Sequence, residues 1–315
     1  MSFVGKIIAP VFARVAYTLL KLVGWKRGTV LANAKHVAGA VSYDTLLKNL
    51  TRHASELLLR FGTFKRLPAD FSKYPCRVDG WTFDIAEGSL PVLEKMRSGG
   101  IFLTAHYGNY EAMGPWLCRL GIPLVASYIP VKPKWLNNIL EKKIRAVDGR
   151  SYSVDARTPR DFLRILNEGN LFCLLADQDS RIPSALPGTF LGKPVNVNPL
   201  PDFLLEHRPQ TPVFICWMEE ICGVRVLHAV EVERAQVPGA AHLVSPAQSK
   251  DASSAHLASS AHLASPAYSD NELHSAPSIV NTQFNKWLEM RIAENPNLWY
   301  SWTHRRFYSR EPGIY

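Results

Sequence analysis

Short apolar runs that alternate with stretches of helical period constrain this chain most. Ile101–Ala105 is an apolar run of strand length, and a helical pattern follows it from about Tyr110 to Arg119. Pro123–Ser127 reads as a second strand, ahead of a helix over about Lys134–Val147. A helix over Pro159–Glu168 leads into the strand Leu171–Ala176. Pro199–Glu206 reads as helical, and Val213–Trp217 and Val224–Val232 as strands. Parallel neighbours need a crossover between them, usually a helix. The alternation therefore predicts an α/β fold with a central, mostly parallel sheet flanked by helices. Two further helices are expected. Residues 42–61 carry Leu46, Leu47, Leu50, Ala54, Leu57, Leu58 and Phe61 at helical spacing behind a Ser42 or Asp44 cap. Ile279–Ile292 carries Phe284, Trp287, Leu288 and Ile292.

The 315 residues, 47% hydrophobic and 20% charged, suffice for a buried core without disulfide or metal staples. Five cysteines, scattered and without a C-x-x-C pair, argue for a reducing compartment and against a disulfide framework or a four-cysteine zinc site. Residues 239–277 differ from the rest: 19 of these 39 are Ala or Ser, and Ala-His-Leu recurs three times. With no Ile, Phe or Trp to anchor a core, this stretch reads as a disordered, low-complexity insertion in a loop. Its histidines (His242, His256, His262, His274) have no recurring carboxylate or cysteine beside them, so no metal site is expected there. The expected organisation is a membrane-associating helix over 1–27 and one domain over 28–315, interrupted by 239–277.

The net charge of +9 is concentrated at the start. Residues 1–43 contain six Lys and Arg and no Asp or Glu. Phe3 to Trp25 is mostly apolar but interrupted by Arg14 and Lys21, which a spanning helix of about 20 apolar residues disfavours. At about 100° per residue, Lys6, Arg14 and Lys21 fall within roughly 80° of one another. A cationic stripe opposite an apolar face reads as an amphipathic helix lying in a membrane interface, attracted to anionic headgroups. Two other readings stand beside it: a signal peptide ending near Ala32-Asn33-Ala34, or a first helix packed on the core.

Thr104-Ala105-His106-Tyr107-Gly108-Asn109-Tyr110-Glu111 carries the chemistry. It leaves an apolar strand and enters a helix, so His106 emerges at a strand's C-terminal edge, where α/β folds place ligands. A turn through Gly108 would let Glu111 fold back on the imidazole, fixing its tautomer and stabilising imidazolium. The other ring nitrogen would then take a proton from an alcohol. A core histidine with a solvated glutamate is the bland alternative. Asn109, in the turn, either donates to the site or satisfies backbone.

In that context the segment resembles the H-x4-D/E motif of lipid acyltransferases. The chain as a whole resembles the late acyltransferases of lipid A biosynthesis, the lauroyl/myristoyl transferase family. Tyr128-Ile129-Pro130-Val131-Lys132-Pro133 with Arg145 and Gly149, the Leu163–Asp179 block, Gly188–Gly192 (which resembles a family turn before a helix) and the closing Trp299–Phe307 are each similar to a family block. Together they span about 76–238 and 279–315.

The resemblance implies acyl transfer from an acyl carrier protein or coenzyme A thioester to a lipid hydroxyl, on the cytoplasmic face of the inner membrane. It implies His106 as general base and Glu111 as its partner, with Arg145 and Asp177 in the site. No resident cofactor or metal is implied. By their chemistry, Arg145 would bind a phosphate or a developing oxyanion, and Asp177 would orient groups at the sheet edge. A surface ion pair and a turn cap are the alternatives. The sequence departs from the family pattern at Ile129, after Lys132, at Ser180–Pro183 and in the insertion, which puts the acceptor in question. A lysophospholipid or another glycolipid is the alternative acceptor. A catalytically silent membrane-binding protein is the alternative class, favoured if His106 and Glu111 point apart. His304, Arg305, Arg306 and Arg310 are expected to meet phosphates or an acidic carrier protein, or else to bind backbone or nearby carboxylates; the neighbouring aromatic residues read as core. Nucleic acid is not an expected partner, since no basic recognition motif is present. Neither G-x-S-x-G nor a P-loop occurs.

Overall fold

Three helices precede the first strand: α1 (Ser2–Leu22), α2 (Arg27–His36) and α3 (Tyr43–Lys65). The strands and helices of the sheet region follow as β1 (Cys76–Val78), β2 (Trp81–Ile85), α4 (Leu90–Met96), β3 (Gly100–Thr104), α5 (Tyr110–Arg119) and β4 (Leu124–Ser127). Then come α6 (Lys134–Ile139), β5 (Ala146–Val147), β6 (Arg150–Ser151), β7 (Ser153–Val154), α7 (Pro159–Asn167) and β8 (Leu171–Leu175). The chain continues through β9 (Leu186–Phe190), β10 (Lys193–Val197), α8 (Leu200–His207), β11 (Val213–Ile221), β12 (Val224–Glu231) and α9 (Ile279–Glu294). The computed structural model describes residues 2–127, 132–154, 156, 158–233 and 278–315. These belong, Glu233 apart, to the unit formed by Met1–Val232 and Pro277–Tyr315. The Ala/Ser-rich stretch 239–277 and the family-like block at 128–131 lie outside the described residues.

The main sheet has eight strands in the order β1-β2-β12-β11-β3-β8-β4-β7. All its pairings are parallel except the hairpins β1/β2 and β11/β12. The chain is therefore α/β, with a large, mostly parallel sheet flanked by helices. Alternation along the strands feeds two apolar layers, as a sheet covered on both faces requires. Ile101, Leu103, Phe172, Ile215 and Trp217 face α7, α8 and α9, where Ile165, Leu204, Phe284 and Leu288 are buried. Phe102, Phe214, Cys216 and Met218 face α4 and α5, against Met96, Met113 and Trp116. Each large side chain so buried contributes about 1.5–3 kcal/mol. The five cysteines are free; Cys216 is buried and Cys222 exposed.

Two stretches differ from the sequence expectation. Residues 134–147 are not one helix: α6 stops at Ile139, a π-type turn covers Leu140–Ile144, and β5 pairs with β6. Asp148-Gly149, with φ of 50° and 79°, makes the two-residue hairpin turn that this dipeptide favours. The Gly188–Gly192 block forms the β9/β10 hairpin rather than a turn leading directly into a helix.

Ser42 caps α3 by accepting from the Thr45 amide at 3.3 Å. The α3 face turned inward is more polar than its apolar periodicity suggests. Thr51, His53, Ser55 and Glu56 are buried and Ala54 is exposed. Along α1, Ala9 is buried and Ala13, Ala16 and Leu20 are half-buried, whereas Val11, Val15, Leu19 and Leu22 are 52–78% exposed. The small residues of α1, with Tyr17 and Leu20, face inward, and most of its large apolar residues face outward. No single described helix is long and apolar enough to cross a membrane. Only α1 and α2 taken together meet that length and composition, and they are bent by 78°.

Candidate active site

Register brings the site together. β3 and β8 pair in parallel with Thr104 opposite Leu175, and the Ala176 amide donates to the Thr104 carbonyl at 3.0 Å. Two residues beyond each strand stand His106 and Asp177, side by side at the C-terminal edge, in the usual ligand position of open α/β sheets.

Asp177 is fully buried and accepts on both oxygens. His106 Nδ1 lies 2.8 Å from Oδ1. The His106 amide (3.0 Å), Trp299 Nε1 (2.8 Å) and Ser301 Oγ (2.7 Å) all donate to Oδ2. Burial alone would lower the imidazole pKa and raise that of the carboxylic acid. The attraction between them outweighs it, so His106 is held above 6.5 and Asp177 below the usual carboxylate range. A carboxylate on Nδ1 places that proton on Nδ1 in the neutral ring, leaving a lone pair on Nε2. Nε2 has no hydrogen-bond partner among the described residues, and the His106 side chain retains 20% exposure.

The partner of His106 is therefore Asp177 and not Glu111, which corrects the expectation from the H-x4-E spacing. Glu111 opens α5, and both its oxygens meet Arg145, at 2.6 Å from Nη2 and 3.3 Å from Nε. Such a two-toothed pair fits the guanidinium fork better than an imidazole edge. Burial would lower the Arg145 pKa, but the Glu111 carboxylate raises it. Glu111 still acts on His106 through space, adding to the stabilisation of imidazolium. Four of the five sequence candidates thus fall into two adjoining pairs, His106–Asp177 and Glu111–Arg145.

Asn109 does not join them. Although it occupies the cap position of α5, its side chain makes no cap bond. It lines a separate cavity of about 140 Å³ with His53, Met218 and Arg225, where its buried Nδ2 has no partner.

The turn that carries His106 is clamped by chain from far away. The Tyr300 amide donates to the His106 carbonyl at 2.7 Å and the Gly108 amide to the Leu298 carbonyl at 2.9 Å. Tyr107 forms a β-bridge with Trp299. On the other side, His53 Nδ1 reaches the Gly108 carbonyl at 3.1 Å. Burial, aided by Arg52, pushes the His53 pKa down to about 3, so this ring is neutral and purely a clamp. Gly108 has φ +60°, and a Cβ there would stand 2.2 Å from the Met218 carbonyl oxygen. Only glycine fits between the two chain segments.

The closing aromatic block is core: Trp299, Tyr300, Trp302 and Phe307 are at most 4% exposed. Arg306 is fully buried and anchors backbone, donating to the Gln178 carbonyl at 2.9 Å and the Asn196 carbonyl at 2.8 Å. Burial lowers its pKa to about 10, against the pull of Asp177 and Asp179. His304 is exposed, its ring 6.0 Å from that of His106. Trp299 and Ser301, the donors to Asp177, and the clamp His53 are the functional side chains that sequence reasoning missed. Trp299 and Ser301 lie inside the closing aromatic block, which was the one available signal. Among the described residues no three His, Cys, Asp or Glu side chains form a metal-holding group. No protein-family model matches this chain, and no curated protein matches it.

Proposed function

We propose that the chain is a membrane-associated O-acyltransferase that moves a fatty acyl group from an acyl carrier protein or coenzyme A thioester to a hydroxyl of a lipid A precursor. The observation that carries this reading is the His106–Asp177 pair: an imidazole with Nδ1 tied to a buried carboxylate and Nε2 uncommitted. That is the base-and-orienter half of a Ser-His-Asp triad, with no serine among the described residues bonded to Nε2. The substrate alcohol takes the missing place. Its proton passes to Nε2 as its oxygen attacks the thioester carbonyl. The tetrahedral adduct then expels the thiolate, which takes the proton back from imidazolium. Glu111 and Arg145 flank this base as a neutral pair. The ordered sequence blocks favour this family, and the outward apolar face of α1 favours a membrane surface, expected to be the cytoplasmic face of the inner membrane.

A lysophospholipid or another glycolipid as acceptor would use the same base. Mass spectrometry of lipids from cells with and without the protein separates these acceptors. The silent membrane-binding alternative draws on Glu111 being turned towards Arg145, but Asp177 supplies the carboxylate that Glu111 does not. Purified His106→Ala protein is expected to lose transfer from an acyl-carrier-protein thioester while melting within a few degrees of wild type. Transfer at the wild-type rate by His106→Ala would end this assignment.

A further inference from the structure

Between α1 and α3 lies a groove of about 400 Å³ that shares no residue with the His106 site. Its walls are the small side chains of Ala9, Pro10 and Ala13 and the ring of Tyr17. Three cations stand at it: Arg14, Lys48 and Arg52. Lys48 is paired with Asp44 and Arg52 with Glu220, whereas Arg14 makes no ion pair among the described residues. Glu56, one turn beyond Arg52, also lines the groove; its Oε1 is paired with Arg225 at 3.2 Å, and its buried Oε2 has no hydrogen-bond partner.

Position on the helix adds a second constraint. At about 100° per residue, Ala13, Tyr17, Pro10 and Arg14 occupy one flank of α1, and that flank meets the edge of the exposed Ile7–Val11–Leu22 stripe. The groove thus opens beside the most apolar exposed surface of the molecule. An apolar slot, an unpaired guanidinium at its rim and an unsatisfied buried acceptor beside it match a single amphiphile: acyl chain, phosphate and a hydroxyl-bearing headgroup.

We infer that the α1/α3 groove binds one molecule of a phosphate-bearing lipid with a hydroxyl in its headgroup. The chain lies against Ala9 and Ala13, the phosphate meets Arg14 and Arg52, and the headgroup hydroxyl donates to Glu56. This inference does not depend on acyl transfer, and its test involves no turnover.

The test is titration calorimetry of the full chain with dihexanoyl phosphatidylglycerol below its micelle concentration. Dihexanoyl phosphatidylcholine and inorganic phosphate serve as the comparison ligands. Saturable one-to-one binding of phosphatidylglycerol is expected, weaker binding of phosphatidylcholine, and no comparable binding of inorganic phosphate. Arg14→Gln, a change at an exposed side chain that leaves the fold intact, should weaken phosphatidylglycerol binding about tenfold. Ala13→Trp should do so by filling the slot, and Leu22→Glu on the outer stripe should leave it unchanged. The inference is overturned by an absence of saturable binding, by unaltered affinity in Arg14→Gln, by equal affinity for inorganic phosphate or phosphatidylcholine, or by loss of binding in Leu22→Glu.

Discussion

Asp177→Asn separates the two things that the buried carboxylate does. Asparagine keeps the shape but offers one acceptor oxygen and one NH2 donor. If the NH2 takes the place of Oδ2, it faces the His106 amide and Trp299 Nε1, two N–H groups that cannot turn away. Two buried unsatisfied donors cost about 2–6 kcal/mol. The other orientation is cheaper: the oxygen serves those donors and the NH2 faces His106 Nδ1. Nδ1 must then be the acceptor, the ring proton moves to Nε2, and the lone pair proposed to take the substrate proton is gone. Loss of charge-assisted bonding in this orientation costs about 1–3 kcal/mol of stability. The wrong tautomer costs about 10⁴-fold in rate where the same substitution is made in Ser-His-Asp hydrolases. The expected protein is folded, melts a few degrees low, and transfers acyl chains at about 10⁻⁴ of the wild-type rate. Purified variant is compared with wild type by mass spectrometry of acylated lipid and by circular dichroism melting. A folded variant within tenfold of wild-type activity would refute the view that Asp177 sets the tautomer of His106.

Three other outcomes follow from the same geometry. With neutral His106 as the proposed base and its pKa held above 6.5, kcat/KM should rise with pH along a limb centred above 6.5; Asp177→Ala should move any residual limb below 6.5, since burial then outweighs the remaining pull of Glu111. Gly108→Ala forces a left-handed backbone on an L-residue, at about 1–2 kcal/mol before any steric cost, and drives a Cβ into the Met218 carbonyl; at roughly 2–4 °C per kcal/mol a clear fall in Tm is expected, and an unchanged melt would contradict the clamp. Val15→Glu with Leu19→Glu should leave Tm unchanged, both side chains being more than half exposed, while vesicle affinity falls about 10²-fold or more, as expected if each had buried about 1.5–3 kcal/mol of apolar surface in lipid.

The same two pKa shifts give stability a pH dependence of opposite signs. His106 is raised on folding, so its contribution is full below 6.5 and disappears as pH rises through the folded value. Asp177 is depressed, so its contribution is present above 3.8 and disappears as pH falls towards the lower folded value.

What the sequence made legible was local. The apolar run ending at Ala105, the helix starting at Tyr110 and the aromatic face of α9 each arise from a few neighbouring residues, and each is where periodicity puts it. The partner of His106 was not legible by the same means. Spacing along the chain pointed to Glu111, five residues on. The carboxylate that reaches the ring is 71 residues away, delivered by the β3/β8 register. Asp177 was visible as a strand-end acid, but nothing local says which strand lies beside β3. The donors that hold it come from Trp299 and Ser301, later still, and the buried polar face of α3 is hidden by a leucine pattern that reads as ordinary core. Asp148-Gly149 was a readable hairpin signal that the helical reading of 134–147 obscured.

The division of labour between the two acids has a physical reason. An imidazole bonded to one buried carboxylate is already held above 6.5. A second carboxylate in hydrogen-bond contact would favour imidazolium further and leave less neutral imidazole at neutral pH. Arg145 prevents this by taking both oxygens of Glu111, so that its charge reaches His106 only through space. Arg306, fully buried and fixed on two carbonyls, makes no ion pair with Asp177 and attracts it only through space. The H-x4-E spacing is thus meaningful without being a bonded pair. It sets Glu111 on the first turn of α5, near enough to bias the imidazole while both its oxygens are bonded to Arg145.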